Sequence, residues 1–131
     1  MIIKHLWVLK KYALAIVILY SVALTVVSLV KLNKLPDVGV SFGDKIFHFL
    51  TYCVLTFLWV NALFYFFKFT RAKAIIVAAI ISIGFGILIE VLQGTVTASR
   101  ASDLYDVAAN TFGVLLAVLV MSQKSIGIKN L

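Results

Sequence analysis

The chain has 131 residues, of which 63% are hydrophobic and only 13% are charged, and its mean hydropathy is +1.13. A soluble domain of this length has too much surface to hide such an apolar excess, because small proteins bury a smaller fraction of their surface than large ones. The composition therefore excludes a soluble enzyme and indicates that lipid surrounds much of the chain. The formal net charge of +7 does not indicate a nucleic-acid binder, since the cations lie between apolar runs and not on one basic face.

Four apolar segments are long enough to cross a bilayer, which requires about 20 residues each. They cover residues 12–30, 46–67, 74–92 and 104–122. The runs are continuous, without the polar–apolar alternation of a membrane β-barrel strand. The sequence therefore predicts an all-α, polytopic membrane protein, in which a bundle of four transmembrane helices forms one domain over residues 1–131.

The first segment differs from a cleaved signal peptide. Its apolar stretch is longer than the roughly 7–15 residues of a signal-peptide core, and no small-residue cleavage site precedes Lys31. We therefore expect this segment to be retained as the first transmembrane helix.

Lysine and arginine are distributed unevenly between the two sides of the predicted membrane. One side carries eight cations and no acidic residue: Lys4, Lys10, Lys11, Lys68, Arg71, Lys73, Lys124 and Lys129. The positive-inside rule places this side, and with it both termini, in the cytoplasm. All five acidic residues fall towards the opposite side of what would be the cytoplasmic or inner membrane.

Polar residues near the outer ends of three predicted helices recur at spacings of three or four, which place them on one helical face. They are Asp44, Lys45, His48 and Tyr52 on the second helix, Glu90 and Gln93 on the third, and Asp103, Asp106 and Asn110 at the fourth, with Arg100 in the loop before it. Charged residues within a membrane are costly, about 2.5–3.5 kcal/mol at its centre, so they usually face a partner or a cavity. The pattern predicts a polar pocket that opens to the outside.

Small residues share faces with these polar groups on the third and fourth helices. They are Ala78, Ser82, Gly86, Gly113 and Ala117. Rows of small residues at this spacing are typical of close helix packing in membranes. The carboxylates of Glu90 and Asp106 are therefore expected to face the packing seam and not the lipid.

Structural interpretations of the same residues are also possible. Asp44 and Asp103 have the position of helix caps, and Glu90 and Asp106 could simply hold two helices together through Arg100. Tyr52 could be a packing aromatic. The single cysteine, Cys53, lies in an apolar run and is interpreted as a packing residue.

The motifs resemble those of a known family. Asp44-Lys45-x-x-His48-Phe49-x-x-Tyr52, followed by Glu90-x-x-Gln93 and by Arg100-x5-Asp106-x3-Asn110-x2-Gly113, resembles the VanZ-like family of bacterial membrane proteins over about residues 44–117. The founding member is associated with reduced sensitivity to teicoplanin, and the biochemical activity of the family is generally unassigned. The resemblance implies a role in the cell envelope.

The favoured hypothesis is an accessory or binding protein of the cell envelope, linked to glycopeptide (teicoplanin) resistance or to envelope lipid or glycan handling. Its partners would be membrane lipids and lipid-linked envelope precursors or glycopeptides, and no nucleic acid. The predicted ligand-binding residues are Asp44, Lys45, His48, Tyr52, Glu90, Gln93, Arg100, Asp103, Asp106 and Asn110.

Two other functions are alternatives. In a membrane-embedded enzyme, His48 would act as acid or base on an envelope lipid or glycan, oriented by Glu90 or Asp106. A transporter is disfavoured because the chain has no repeated halves. A divalent metal on His48 and the nearby carboxylates lacks any diagnostic spacing, so neither a metal nor another cofactor is predicted.

Overall fold

The computed structural model describes residues 2–34, 41–96 and 104–123, and these form four helices. In chain order they are α1 (Ile2–Lys34), α2 (Ser41–Tyr65), α3 (Arg71–Val96) and α4 (Leu104–Met121). Each contains a segment long and apolar enough to cross a membrane: Lys10–Leu29, Lys45–Tyr65, Arg71–Thr95 and Leu104–Met121. The described part of the chain contains no strand. The prediction of an all-α protein with four membrane-spanning helices is confirmed.

The first three helices begin earlier than the predicted spans, and α1 and α3 also end later, at Lys34 and Val96. The prediction followed the apolar runs alone, whereas helical hydrogen bonding continues into flanking residues such as lysine, which have good helix propensity. The fourth helix ends at Met121, one residue before the predicted end.

The second predicted helix is also too long, by two residues, where it enters the α2–α3 connector. We predicted that the second helix would continue to residue 67, but α2 ends at Tyr65. Lys68 adopts a left-handed backbone conformation with φ of 61°, and the Phe69 amide donates to the Leu63 carbonyl across 3.0 Å. A left-handed residue of this kind is a common way to end a helix. Thr70 then caps α3, because its hydroxyl accepts the Lys73 amide at 3.2 Å.

Helix α2 is central in the bundle and contacts each of the other three helices, with its largest interface on α4. The Tyr20 hydroxyl of α1 donates to the Thr51 carbonyl of α2 at 2.8 Å. The end of α3 meets the end of α1, where the Gln93 amide nitrogen donates to the Ser28 carbonyl at 3.2 Å. Neighbouring helices in sequence therefore run antiparallel, and α2 and α4 run parallel.

The two ends of the bundle differ in chemistry. We call the end where α2 and α4 begin the polar end, and the end where α2 is connected to α3 the basic end. At the basic end the Arg71 guanidinium donates to the carbonyls of Met121 and Gln123, each at 2.7 Å. A cation in this position satisfies carbonyl groups at the C-terminus of α4, which have no helical partner.

Apolar side chains cover both the inside and the outside of the bundle. Val17, Leu55 and Val114 are fully buried between the helices. Leu19 and Ile80 point outwards and are 69% and 66% exposed. Helices that are apolar on every side are stable in a membrane, where lipid solvates the outer face.

Candidate functional site

An ion pair joins the first turns of α2 and α4 at the polar end. The Lys45 ammonium lies 2.5 Å from Oδ1 of Asp106. The Asp106 side chain is fully buried, whereas that of Lys45 is 23% exposed. Because a buried charge is stable only when it is paired and hydrogen-bonded, this contact explains how a carboxylate is tolerated inside an apolar bundle.

His48 lies one turn after Lys45 and connects the same carboxylate to Asn110. Its Nε2 atom is 3.4 Å from Oδ2 of Asp106, and its Nδ1 atom is 3.0 Å from Oδ1 of Asn110. The residue is only 5% exposed, so its ring lies inside the bundle and not in solvent. We call Lys45, His48, Asp106 and Asn110 the polar cluster.

Tyr52 and α3 form the inner wall of the polar cluster. The Tyr52 ring stacks on His48, with ring centroids 6.5 Å apart. A Cβ atom at Gly86 would lie 2.9 Å from Nδ2 of Asn110 and 3.1 Å from Cε2 of Tyr52. Glycine therefore allows α3 to approach both α2 and α4 at this level of the bundle.

Two further predicted site residues lie buried near the end of α3. Glu90 is 3% exposed and Gln93 is 2% exposed. Gly86, one turn before Glu90 on α3, lies against both Asn110 and Tyr52. The predicted polar faces of α2, α3 and α4 therefore point into the same bundle interior and not to opposite sides of it.

The small-residue faces lie in the helix seam, as their spacing predicts. All five small residues on these faces are buried: Ala78, Ser82, Gly86, Gly113 and Ala117. At Gly113 the backbones of α4 and α2 touch, because a Cβ atom there would overlap the Phe49 carbonyl oxygen and lie 3.1 Å from the Cys53 nitrogen. This close approach allows α4 to bring Asp106 and Asn110 against α2.

A comparison with protein families identifies the family of this chain. The family model described as VanZ/LLP1 matches residues 2–125. The chain belongs to the VanZ/LLP1 family. Neither a curated protein nor a solved structure gave a significant match.

Three of the predicted site residues cannot be placed in this VanZ/LLP1 structure. Arg100 and Asp103 lie outside the described residues, and so does the predicted pairing of Glu90 with Arg100. Asp44 lies within α2, but its side chain is likewise outside the described part. The interpretation of Asp44 and Asp103 as helix caps therefore stays a prediction.

The chemistry available to the VanZ/LLP1 cluster is that of a paired cation and carboxylate with hydrogen-bonding neighbours. Among the side chains that the structure describes, which leave out those of His5 and Asp44, no three His, Cys, Asp or Glu residues gather as metal ligands would. Both ring nitrogens of His48 face protein oxygens. The cluster therefore combines a paired lysine and carboxylate with a histidine whose two ring nitrogens each lie beside a protein oxygen.

Sequence reasoning missed two contacts that support the site from a distance. The hydroxyl of Tyr20 fixes α1 against α2, and Arg71 fixes the end of α4. A tyrosine inside an apolar span was a signal for the first contact, because buried hydroxyl groups need partners. From the sequence alone, Arg71 was expected only to orient the chain in the membrane. Its contact with Met121 spans 50 residues, and no local pattern in the sequence indicates it.

Proposed function

We propose that this VanZ/LLP1 protein is a cell-envelope accessory protein that binds the phosphorylated headgroup of an envelope lipid at its polar end. The observation that carries the proposal is the Tyr52 hydroxyl. It is buried beside the polar cluster and has no hydrogen-bond partner in the described part of the chain. A buried polar group without a partner costs about 1–3 kcal/mol, so a ligand oxygen that accepts from this hydroxyl would recover that free energy.

Lys45 supplies the charge that this ligand requires. It is the member of the polar cluster with the greatest exposure, and Asp106 holds its ammonium group at the mouth of the cluster. Lysine is a common phosphate-binding residue. In this proposal Lys45 contacts the phosphate, Tyr52 donates to one of its oxygens, and Asp44, His48, Glu90, Gln93, Arg100, Asp103, Asp106 and Asn110 complete the surrounding pocket.

The cellular setting follows from the charge asymmetry of the sequence. If the basic end is cytoplasmic, both termini of this chain are cytoplasmic and the polar end faces the outside of a cytoplasmic or inner membrane. The lipid would then be an outer-leaflet component, such as a lipid-linked glycan precursor. Binding of such a lipid by residues 1–131 acting as one domain would connect the protein with teicoplanin sensitivity.

The enzyme alternative has less support. An acid or base must come within hydrogen-bond reach of the substrate. Both nitrogens of the His48 ring already lie beside protein oxygens, whereas the Tyr52 hydroxyl has no hydrogen-bond partner in the described part of the chain. The geometry therefore favours binding over acid–base catalysis.

Tyr52→Phe is the variant that tests the proposal, because it removes only the hydroxyl. We expect it to bind polyprenyl phosphate roughly tenfold more weakly, since hydrogen bonds to charged groups contribute about 1.5–3 kcal/mol. Its thermal stability should be unchanged or higher, because the lost hydroxyl has no partner among the described residues. The measurement is a titration with polyprenyl phosphate in phosphatidylcholine nanodiscs, followed by native mass spectrometry.

Tyr20→Phe is the matched control. It removes the donor to the Thr51 carbonyl, so it should lower the free energy of unfolding by about 1 kcal/mol and leave lipid binding unchanged. Equal affinity of wild type and Tyr52→Phe for polyprenyl phosphate would overturn the proposal. So would wild-type protein that binds phosphatidylcholine as tightly as the phosphate lipid.

A further inference from the structure

The α2–α3 connector at the basic end combines exposed aromatic rings with cations. Phe66 and Phe67 are 52% and 46% exposed, and their ring centroids are 5.1 Å apart. The centroid of the Phe69 ring lies 6.2 Å from that of the Phe67 ring. The Lys73 ammonium sits 4.4 Å from the centroid of the Phe69 ring, a distance typical of a cation–π contact.

Helix α1 adds a further cation at the same end. The Lys10 ammonium lies 5.3 Å from the centroid of the Tyr65 ring, at the last residue of α2. Lys68, in the middle of the connector, is exposed. The acidic side chains of the described part of the chain, Glu90 and Asp106, are both on the polar-end portions of their helices, so this patch is uniformly positive.

We propose that Lys10, Lys68 and Lys73 form a binding site for the phosphodiester headgroup of an anionic phospholipid. Phe66 and Phe67 would contact the glycerol and acyl region of the same lipid. The adjacent exposed rings favour a lipid over a soluble phosphate, because exposed phenylalanine rings bury at the boundary between headgroups and acyl chains, and clustered lysines next to a membrane helix attract anionic headgroups. Arg71 is not part of the site, since its guanidinium is bound to the end of α4.

This site is independent of the proposed function, because it lies at the opposite end of the bundle. The contact of Lys73 with Phe69 restricts the conformations of the lysine side chain before the lipid binds, which reduces the entropy lost on binding. A diffuse positive field would instead depend only on the number of cations at this end.

The test compares two single-charge variants of the full chain, Lys73→Gln and Lys11→Gln. The probes are phosphatidylglycerol and phosphatidylcholine, added to detergent-solubilised protein and measured by native mass spectrometry. We expect Lys73→Gln to lose about fivefold in its preference for phosphatidylglycerol, Lys73→Arg to retain the preference, and Lys11→Gln to change it less than twofold. Inorganic phosphate at the same concentration should displace no phosphatidylglycerol.

If Lys73→Gln and Lys11→Gln lose equal amounts of the preference for phosphatidylglycerol, the proposed site is overturned. The preference would then come from the total positive charge at this end. Displacement of the lipid by inorganic phosphate would contradict the lipid assignment. The binding of polyprenyl phosphate is measured in a separate titration of Tyr52→Phe. Failure of one proposal is therefore distinguishable from failure of the other.

Discussion

Asp106→Asn should lower the free energy of unfolding by about 3 kcal/mol, because it leaves the charge of Lys45 without its buried partner. Removal of one member of a buried ion pair typically costs about 3–5 kcal/mol, and the partial exposure of Lys45 places the expected loss at the lower limit. The side chain keeps nearly the same shape, so the effect reports charge and not packing. Reversible unfolding in mixed detergent micelles is the measurement.

The double variant Lys45→Met/Asp106→Leu is the control for this prediction. Replacement of both charges by apolar groups is often neutral or stabilising, but His48 also loses its contact with Oδ2 of Asp106. We therefore expect a loss of about 1–2 kcal/mol, smaller than that of Asp106→Asn. The proposed binding of a phosphate lipid should nevertheless be lost, because Lys45 is absent. Wild-type stability of Asp106→Asn would show that the 2.5 Å contact between Lys45 and Asp106 does not hold α2 and α4 together.

Gly113→Ala should destabilise the bundle by about 3 kcal/mol or prevent accumulation of the folded protein. The added methyl group would overlap the Phe49 carbonyl oxygen, and a backbone atom cannot move aside as the end of a side chain can. The α2–α4 interface, the largest in the structure, would have to separate. Overpacking of this kind typically costs about 1–3 kcal/mol and occasionally more.

Gly84→Ala provides a matched substitution in a neighbouring helix. Gly84 lies on the exposed side of α3, and a Cβ atom there would have no neighbour within 4 Å. This variant should be neutral or stabilised by up to about 1 kcal/mol, because alanine has the higher helix propensity. If Gly113→Ala and Gly84→Ala change the thermal unfolding temperature in detergent by the same amount, α4 does not approach α2 closely at Gly113.

The fold was predictable from the sequence because a membrane imposes strong constraints on an apolar chain. Segments such as residues 74–92 are too long and too continuous to form anything but a spanning helix. Helix ends were less predictable, since hydropathy reports where lipid begins and not where hydrogen bonding stops. The left-handed Lys68 that ends the α2 region has no signal in the sequence, because glycine is the residue expected there.

The polar cluster was predictable for a similar reason. Helical spacing fixed which residues share a face, and the cost of a charge in the membrane required the faces of Lys45 and Asp106 to meet. The choice of partners was not predictable. Asp106 contacts both Lys45 and His48, and Asn110 contacts the other ring nitrogen of His48. These contacts depend on how α4 is rotated against α2, and the close packing at Gly113 permits that rotation.

Accessibility labelling tests the central claim, that the polar cluster lies at the outer end of a membrane-spanning bundle, most directly. In a Cys53→Ser protein, single cysteines are introduced as Tyr105→Cys beside the cluster or as Lys68→Cys in the α2–α3 connector. A membrane-impermeant maleimide added to intact cells, with the outer membrane permeabilised where one is present, should label residue 105, and residue 68 should react only after lysis. Labelling of both positions from the same side would contradict the account, because α3 could not then cross the membrane between them.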